Sequence, residues 1–319
     1  MTSIQDLLTE YDLDTPVSTP VVEPVIEDIE IPTLISSATI VSLSRHVPSF
    51  KRDDKTAARR AAESMGAKRG RYTSNKKLIM CAEHDALVKQ SNDIYRFVRD
   101  RTMRWGELGQ QLLPNEAYTD FDEEIQEMVQ KFYDPYKREF LAAYPAACAR
   151  SQLSLGEGYD PRLYPSVDQL ERKIQVHLAY EPLPSSGDFR IDIPRQAQAE
   201  MREGYEKLMQ SRLHESMQEI WKRLLKPLKN MSDKLDYDDE GKPRNGHFQT
   251  TIVDNVIQIV DLMKICNLAN DPQMDRVQRD LRNALTGVTP EMLKVSDTQR
   301  RKTKAEVDSI IKSLPNFGF

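Results

Sequence analysis

The residue types best able to do chemistry are concentrated in one basic segment, residues 45–77, which contains the run KRDDKTAARRAAESMGAKRGRYTSNKK from residue 51 onward. Clustered lysines and arginines attract phosphates and carboxylates without reading base sequence. Tyr72 is the one aromatic residue in this run, so a stacking platform for nucleic-acid bases is missing. The run is therefore a nucleic-acid arm, a docking site for an acidic protein or for the chain's own N-terminal tail, or an ordinary solvated face. The candidate contact residues are Lys68, Arg69, Arg71, Lys76 and Lys77.

Metal and cofactor motifs fail at the positions that matter most. The sequence contains no glycine-rich phosphate cradle of the form G-x-x-x-x-G-K-[ST]. The loop DYDDEGKPRNGH, residues 236–247, imitates a calcium loop, but His247 stands where a bidentate glutamate is required. His214 and Glu215 lack the second histidine, four residues on, that a zinc protease motif needs. We therefore predict neither a metal site nor a cofactor.

Candidate nucleophiles and acid–base pairs are equally weak. The three cysteines, Cys81, Cys148 and Cys266, are far apart and odd in number, which fits neither a disulfide framework nor a metal-ligand spacing. Cys81 and Cys266 lie among apolar neighbours on predicted helices, where a cysteine acts as a small hydrophobe. Glu123 and Glu124 diverge by about 100° on a helix, which indicates a solvated face. We predict a protein that is not an enzyme.

Charge is strongly segregated at the N-terminus. Residues 1–44 carry eight acidic groups and no basic one, whereas residues 45–77 carry eleven Lys or Arg against three Asp or Glu. Prolines and a shortage of core-forming groups over residues 12–33 are typical of a tail. We predict a disordered acidic tail over residues 1–33, docked transiently on the basic segment, and one helical domain over residues 34–319.

Two strands and two amphipathic helices are predicted before residue 195. β-Branched residues predict a strand over residues 35–43, and the extended stretch over residues 176–194 predicts a second strand that pairs with it. A helix capped by Ser74 or Asn75 is predicted from the stripe Met80, Leu87, Ile94, Val98 and Trp105. Another helix, with a bend at Asp134-Pro135, is predicted from the stripe Phe121, Ile125, Met128 and Phe132.

The C-terminal part predicts a helical bundle. A helix over residues 196–235, kinked at Pro227, is expected to form a coiled-coil hairpin with the helix after Asn75 or after Asn115. Its predicted apolar stripe consists of Met201, Tyr205, Leu208, Leu213, Met217, Ile220, Leu224, Leu228, Met231 and Leu235. The stretch TIVDNVIQIVDLMKICNL predicts a fully buried helix, and two shorter helices follow it, one on Met274 to Leu285 and one on Val307 to Leu314. Trp105 and Trp221 are expected at packing seams. The fold class is mainly α, an elongated helical bundle or coiled-coil hairpin with a small two-stranded sheet.

The predicted location is the cytoplasm. The N-terminus MTSIQDLLTEYDLDTP lacks a basic region with an apolar block behind it. The longest apolar runs are far below the roughly 20 residues that a membrane-spanning helix needs. We therefore expect no membrane contact.

Four stretches, TMRWGELGQQLLPNEAYTDF, YPSVDQL, PLPSSGDFRIDIP and NLANDPQMDRVQRDLRNAL, resemble successive landmarks of a family of uncharacterised bacteriophage and prophage proteins. With the strand SATIVSLSRHVPSFKRDDK, the resemblance covers most of residues 35–314. The chain departs from the family pattern at Arg104, where a proline commonly precedes the tryptophan, and in its acidic tail. Family members are often encoded near a MoxR-type AAA+ ATPase and a von Willebrand A-type protein. The resemblance thus implies an adaptor for such an ATPase in the host cytoplasm.

Three functions from different classes remain open. The leading hypothesis is a non-enzymatic helical interaction protein, an adaptor or assembly protein encoded by a phage. The alternative is a sequence-independent nucleic-acid-binding accessory protein that uses residues 51–77. The third is an enzyme whose site residues come from distant segments, which spacing in the sequence does not reveal.

Overall fold

The computed structural model describes residues 36–68, 70–106, 109–184, 195–238 and 251–315. The described chain is mostly helical with a small antiparallel sheet, which confirms the predicted class. The strands are β1 (Ala38–His46), β2 (Lys51–Asp53), β3 (Asn75–Lys77), β4 (Met103–Trp105), β5 (Gln110–Pro114) and β6 (Gln175–Pro182). The helices are α1 (Lys55–Ser64), α2 (Ala82–Arg101), α3 (Tyr118–Met128), α4 (Asp134–Leu155), α5 (Val167–Lys173), α6 (Arg195–Leu235), α7 (Thr251–Cys266), α8 (Pro272–Leu285), α9 (Pro290–Val295) and α10 (Asp297–Ser313). The tail predicted over residues 1–33 lies outside the described residues.

The main sheet has four antiparallel strands in the order β4-β5-β1-β6. The predicted first strand is confirmed as β1, and it pairs with β6, which lies inside the extended stretch predicted as the second strand. The expected two-stranded sheet is wrong, because β5 covers the other edge of β1 and β4 extends the sheet further. The part of the predicted second strand around Phe189 lies outside the described residues.

This sheet separates two hydrophobic cores. Successive residues of a strand point to opposite faces. Ile40 of β1 and Leu112 of β5 therefore contact the core formed with α6, α7, α8 and α10, here called the C-terminal core. Their neighbours Val41 and Leu113 contact the core formed with α2 to α5, here called the N-terminal core. All four side chains are buried, so the sheet supplies one wall to each core.

The first predicted helix begins later than expected. Residues 75–77 form β3 by pairing with β2, so α2 begins only at Ala82. The central part of the stripe is confirmed, since Leu87, Ile94 and Val98 are buried. Its two ends are wrong: Met80 is 78% exposed, and Trp105 is buried on strand β4 rather than on a helix.

A π-helical turn, Val129–Tyr133, joins α3 to α4. The stripe of α3 is confirmed at Phe121 and Ile125, which are buried. The π-turn holds one residue more than an α-turn and shifts the pattern by one position. Tyr133 is therefore buried where Phe132 was predicted, and Phe132 is exposed. The backbone stays helical from Met128 through Asp134, so Pro135 lies within a continuous helical stretch, in the first turn of α4 directly after the π-turn.

The long helix α6 confirms the predicted bounds and most of the predicted stripe. Its buried side chains include Trp221 and the stripe residues Leu213, Met217, Ile220, Leu224, Leu228, Met231 and Leu235. Met201 and Leu208, near its beginning, are exposed instead. The main packing partners of α6 are α7, α10 and β4, so the predicted hairpin with an earlier helix is not confirmed.

The other C-terminal helices follow their predicted stripes with one exception. The helices α8 and α10 bury the predicted residues Met274, Val277 and Val307. The helix α7 was predicted to be fully buried, which is wrong: Ile257 and Ile265 are each 38% exposed. An outward face of α7 remains open because its packing partners cover the opposite face.

Two arginines fix helix C-termini, whose last carbonyls lack partners within the helix. Arg300 of α10 is 2% exposed and donates to the carbonyls of Lys234, Leu235 and Asp236 at 2.9, 3.1 and 3.1 Å. Arg223 of α6 donates to two carbonyls at the end of α2. These contacts hold α10 on α6 and α6 on α2. Among the described helices, none is long and apolar enough to cross a membrane.

Candidate functional site

The basic residues predicted from the sequence form a compact unit, residues 51–77, here called the basic arm. It consists of β2, α1, a loop and β3. At its base, the backbone N–H of Leu78 donates to the carbonyl of Phe50 at 2.7 Å, and both side chains are buried in the N-terminal core. Within the arm, Asp54 caps α1 by accepting from the N–H of Ala57 at 2.9 Å. The base of the arm is thus fixed to the folded body.

The helix α1 turns its cations outward. Its alanines face inward, and Ala62 is buried, whereas Lys55, Arg59 and Arg60 are exposed. Gly66 and Gly70 in the following loop have φ values of +64° and +87°, a conformation that other residues rarely adopt. An alanine-rich helix and a glycine-containing loop therefore separate the two strands of the arm.

The two strands of the arm place like charges opposite one another. In the antiparallel register, Lys51 lies opposite Lys77, and Arg52 lies opposite Lys76. Like charges directly opposite across a ladder are destabilising. Within the described residues, the one ion pair of the arm joins Arg59 to Glu63 at 3.7 Å. None of the four ladder cations forms an ion pair with a described residue, and of the four Lys76 interacts electrostatically with the carboxylate of Asp160. The ladder therefore concentrates positive charge that the described fold does not neutralise.

The five predicted contact residues occupy different environments. Lys68 and Arg71 are exposed in the loop after α1, and Lys77 is exposed on β3. Lys76 is half-buried, and its ammonium donates to the carbonyl of Gly158 at 2.7 Å, so it also holds a neighbouring loop. Arg69 lies outside the described residues.

The site residue that the prediction left out is Lys51. The register of β2 and β3 brings Lys51 directly opposite Lys77. The two strands are three residues long and are separated in sequence by α1 and its loop. No alternation pattern of useful length exists in either strand, so the sequence carries no signal for this pairing.

A pocket of about 490 Å³ opens where the arm meets α2, and it is here called the arm pocket. The lining combines apolar side chains with Lys51 and Lys77, two ammonium-bearing side chains of the arm. The apolar residues are Ile79, Met80, Ala82 and Val88, and the lining also includes Ser49, Cys81, His84 and Asp85. A ligand that combines aliphatic and anionic groups suits such a lining.

Cys81 and His84 also line the arm pocket, but they do not form a nucleophilic pair. The Nε2–H of His84 donates to the carbonyl of Pro48 at 2.7 Å, and the ring packs edge-on against Phe50. The thiol of Cys81 donates to a carboxylate oxygen of Glu83 at 3.0 Å. Burial, reinforced by this hydrogen bond, raises the pKa of Cys81. A thiol that stays protonated is a poor nucleophile.

In the described part of the chain, no group of three or more His, Cys, Asp or Glu side chains is placed so that it could bind a metal ion. Of the loop that imitates a calcium site, Asp236 is described, and it lies 3.6 Å from the ammonium of Lys304. The remaining positions Glu240, Gly241 and His247 lie outside the described residues.

A second groove, of about 610 Å³, lies between α2 and α3 on one side and α7 and α8 on the other. Apolar side chains such as Phe97, Phe121 and Leu262 line it together with several charged groups. Its arginines are paired internally: Arg101 contacts Glu124 at 2.7 Å, and Arg282 contacts Asp261. The two arginines of this groove are therefore neutralised, whereas Lys264, which also lines it, forms no ion pair among the described residues.

No protein-family model, no curated protein and no solved structure matches this chain. The resemblance to uncharacterised phage proteins stays a prediction, and function is argued from the site alone.

Proposed function

We propose that this protein is a non-enzymatic helical interaction protein, an adaptor or assembly factor, that binds an acidic protein partner through the basic arm. The observation that carries the proposal is the pair of cationic oppositions, Lys51 with Lys77 and Arg52 with Lys76, on a fixed two-stranded ladder. Each such opposition costs about 0.2–1 kcal/mol relative to a neutral pair. A carboxylate placed between two cations replaces that repulsion with charge-assisted contacts.

The arm has the mechanical properties that such a contact needs. Its base is fixed by Phe50 and Leu78, so its cations are held in position before binding. Preorganised charges lose less conformational entropy on binding than charges on a mobile segment. A partner that presents acidic side chains at matching positions gains both affinity and a faster association rate.

The helical body serves, in this proposal, as an elongated support. The helix α6 has 41 residues, and a rise of 1.5 Å per residue makes it about 60 Å long. Met201 and Leu208, exposed near its beginning, offer a second contact region. The resemblance to phage proteins suggests an AAA+ ATPase as the partner and a phage as the source.

The alternative is a sequence-independent nucleic-acid-binding protein. The exposed cations Lys55, Arg59 and Arg60 of α1 favour this function, because phosphate contacts need no particular base geometry. Tyr72, which is 40% exposed, is the only aromatic residue of the arm available for stacking. An acidic protein partner needs no such stacking, and it is therefore preferred.

The test is affinity capture with the full-length chain and two variants of matched charge. The arm variant carries K51Q, K68Q, R71Q and K77Q. The control variant carries K226Q, K229Q, R279Q and K312Q, which are exposed on α6, α8 and α10. Each bait is used to capture proteins from prophage-bearing cells, and its binding to short duplex DNA and RNA is measured at several salt concentrations.

We expect an acidic protein that the wild type and the control variant retain and that the arm variant loses. Capture of the same proteins by all three baits would overturn the proposal. If instead DNA or RNA binding alone is lost in the arm variant, with a steep dependence on salt, the nucleic-acid alternative is correct.

A further inference from the structure

The arm pocket combines two features that suit an acidic, aliphatic peptide. Lys51 and Lys77 supply two ammonium groups from opposite strands, while Ile79, Met80 and Val88 supply apolar surface. Met80 is 78% exposed although it belongs to an apolar stretch. Exposed apolar surface beside uncompensated cations indicates a contact that the described residues do not make.

The charged groups that line the pocket are Lys51, Lys77 and Asp85, whose side chain is 87% exposed and lies 3.8 Å from the Nδ1 atom of His84. The carboxylate of Glu83 accepts from the thiol of Cys81, which also lines the pocket. Both lysines belong to the arm, whereas both carboxylates belong to the first turn of α2. An anionic group is therefore favoured next to the two lysines of the arm.

The chain itself contains a segment with this chemistry. Residues 21–33, VVEPVIEDIEIPT, contain six valines and isoleucines and four acidic residues, and they contain no lysine or arginine. We infer that residues 21–33 occupy the arm pocket, with their carboxylates at Lys51 and Lys77 and an aliphatic side chain against Ile79 and Met80. The inference rests on the proposed function, since a segment held there competes with the acidic partner for the same cations.

The distances permit this contact within one chain. The described chain begins at Ser36, just before β1, and Lys51 lies beyond the far end of that strand. β1 has nine residues, and at about 3.3 Å per residue it is about 30 Å long. Glu23 precedes Ser36 by enough residues to span about 45 Å when extended, and Glu27 by enough to span about 30 Å. Glu23 and Glu27 therefore reach the pocket without rearrangement of the sheet, whereas Asp28 and Glu30 precede Ser36 by too few residues to span the length of β1.

Tethering makes even a weak contact substantial. A segment joined by a short linker has an effective concentration on the order of 1 mM at its site. With a dissociation constant of about 1 mM, such a segment occupies its site about half of the time. A partner that binds the arm then competes with residues 21–33, which lowers its apparent affinity and suppresses weak binders.

Zero-length cross-linking tests the inference on the full-length protein, with no partner present. A carbodiimide activates a carboxylate as an O-acylisourea, and an amine in contact with it attacks the acyl carbon and displaces a urea, which leaves an amide that mass spectrometry can locate. We expect amides between Lys51 or Lys77 and Glu23 or Glu27, the two acidic residues that reach the pocket. Lys55, exposed on the same arm but outside the pocket, is the internal control. A mixture of labelled and unlabelled protein distinguishes links within one chain from links between chains.

Lysine acetylation rates give the second measurement. The full-length variant E23Q/E27Q/D28N/E30Q removes the four acidic charges of residues 21–33, and D6N/E10Q/D12N/D14N removes the other four acidic charges of residues 1–35. We expect the first variant to raise the acetylation rates at Lys51 and Lys77 by up to about twofold, the release expected from half occupancy. The second variant and Lys55 should show little change.

Several results would overturn the inference while leaving the proposed function intact. One such result is that the cross-links form mainly between chains, and another is that they are spread evenly over Lys55 and the pocket lysines. A third is that the two charge variants raise the acetylation rates of Lys51 and Lys77 equally. The proposed function would be refuted by a different result: the arm variant would capture the same proteins as the wild type. The capture experiment is independent of the cross-linking and acetylation measurements.

Discussion

The cations of the basic arm and those of the C-terminal bundle are used in opposite ways. In the bundle, Lys304 of α10 contacts the carboxylate of Asp308 at 3.0 Å and the hydroxyl of Ser232 at 3.2 Å. Arg300 is almost fully buried, and it satisfies three carbonyls at the end of α6. These charges hold helices together within the fold. In the arm, Lys51 and Lys77 face each other without a carboxylate among the described residues.

The two regions differ in the unfavourable free energy that their cations introduce, which is desolvation in the bundle and repulsion between like charges in the arm. Burying a cation is tolerated in the bundle because the hydrogen bonds that its donors would make to water are replaced by hydrogen bonds to carbonyls or carboxylates. Placing cations opposite one another in the arm is tolerated because water screens them, and it leaves their charge available. A sequence count of lysines and arginines does not distinguish these two uses, whereas their partners do.

The largest effect that would test this contrast is the loss of the buried arginine cap. Arg300→Met keeps much of the side-chain volume but leaves three buried carbonyls at the end of α6 without donors. We expect the free energy of unfolding to fall by about 3–5 kcal/mol, measured by urea denaturation. Arg301→Met is the matched control, because Arg301 is exposed and stacks on the ring of Tyr237 at 4.0 Å. An equal loss in both variants would contradict the assigned role of Arg300.

A second test uses the buried thiol of the bundle. Burial raises the pKa of Cys266 from 9.0 to about 12. Below pH 9 the thiol is protonated in the folded and unfolded states, and its contribution to stability is complete. As pH rises from about 9 to 12 only the unfolded state ionises, so unfolding is favoured by about 1.4 kcal/mol per pH unit.

The variant Cys266→Ala isolates this effect from the tyrosines and lysines that titrate in the same range. We expect the difference in unfolding free energy between wild type and variant to shrink steadily above pH 9. Cys148→Ala, at a half-buried thiol of the N-terminal core, is the comparison: burial also raises the pKa of this thiol, so its difference should shrink in the same direction but less than that of Cys266→Ala. Curves that stay parallel across this pH range would show that Cys266 is not shielded from water.

The smallest expected effect has the opposite sign. K51Q/K77Q removes two like charges that oppose one another on the ladder. We expect the protein to become more stable by about 0.2–1 kcal/mol at low salt, measured by thermal unfolding. The gain should fade as salt screens the repulsion. K55Q/K68Q, which removes two arm charges that lack this opposition, should give a smaller gain, and a loss of stability in K51Q/K77Q would refute the repulsion.

Sequence reasoning was most successful where a pattern is long. The stripe of α6 from Leu213 to Leu235 repeats over several turns, so one or two irregular positions do not hide it. The same reasoning failed at Trp105 and at residues 75–77, because strands of three residues contain too few positions to show an alternation. It also failed at Phe132, since a π-turn shifts a helical pattern without a sequence signal that marks it.

For the candidate site, composition was sufficient to locate the basic arm in the sequence but not to predict which of its cations lie opposite one another. The density of lysine and arginine identified residues 51–77 directly. The opposition of Lys51 and Lys77 depends on a strand register that is set by the packing of Phe50 and Leu78 in the N-terminal core. The contact of Lys76 with Gly158 joins segments 82 residues apart, which no local pattern encodes.

The sheet that serves both cores also sets an order of events during synthesis. All six described strands precede residue 184, whereas the helices that cover Ile40 and Leu112 on the C-terminal side begin at Arg195. At about 5–20 residues per second, a ribosome needs on the order of 10 s to add the remaining helices. During that interval one apolar face of the sheet has no intramolecular cover. We expect nascent chains stopped near residue 184 to recruit chaperones or to aggregate, and chains that extend past α10 to do neither.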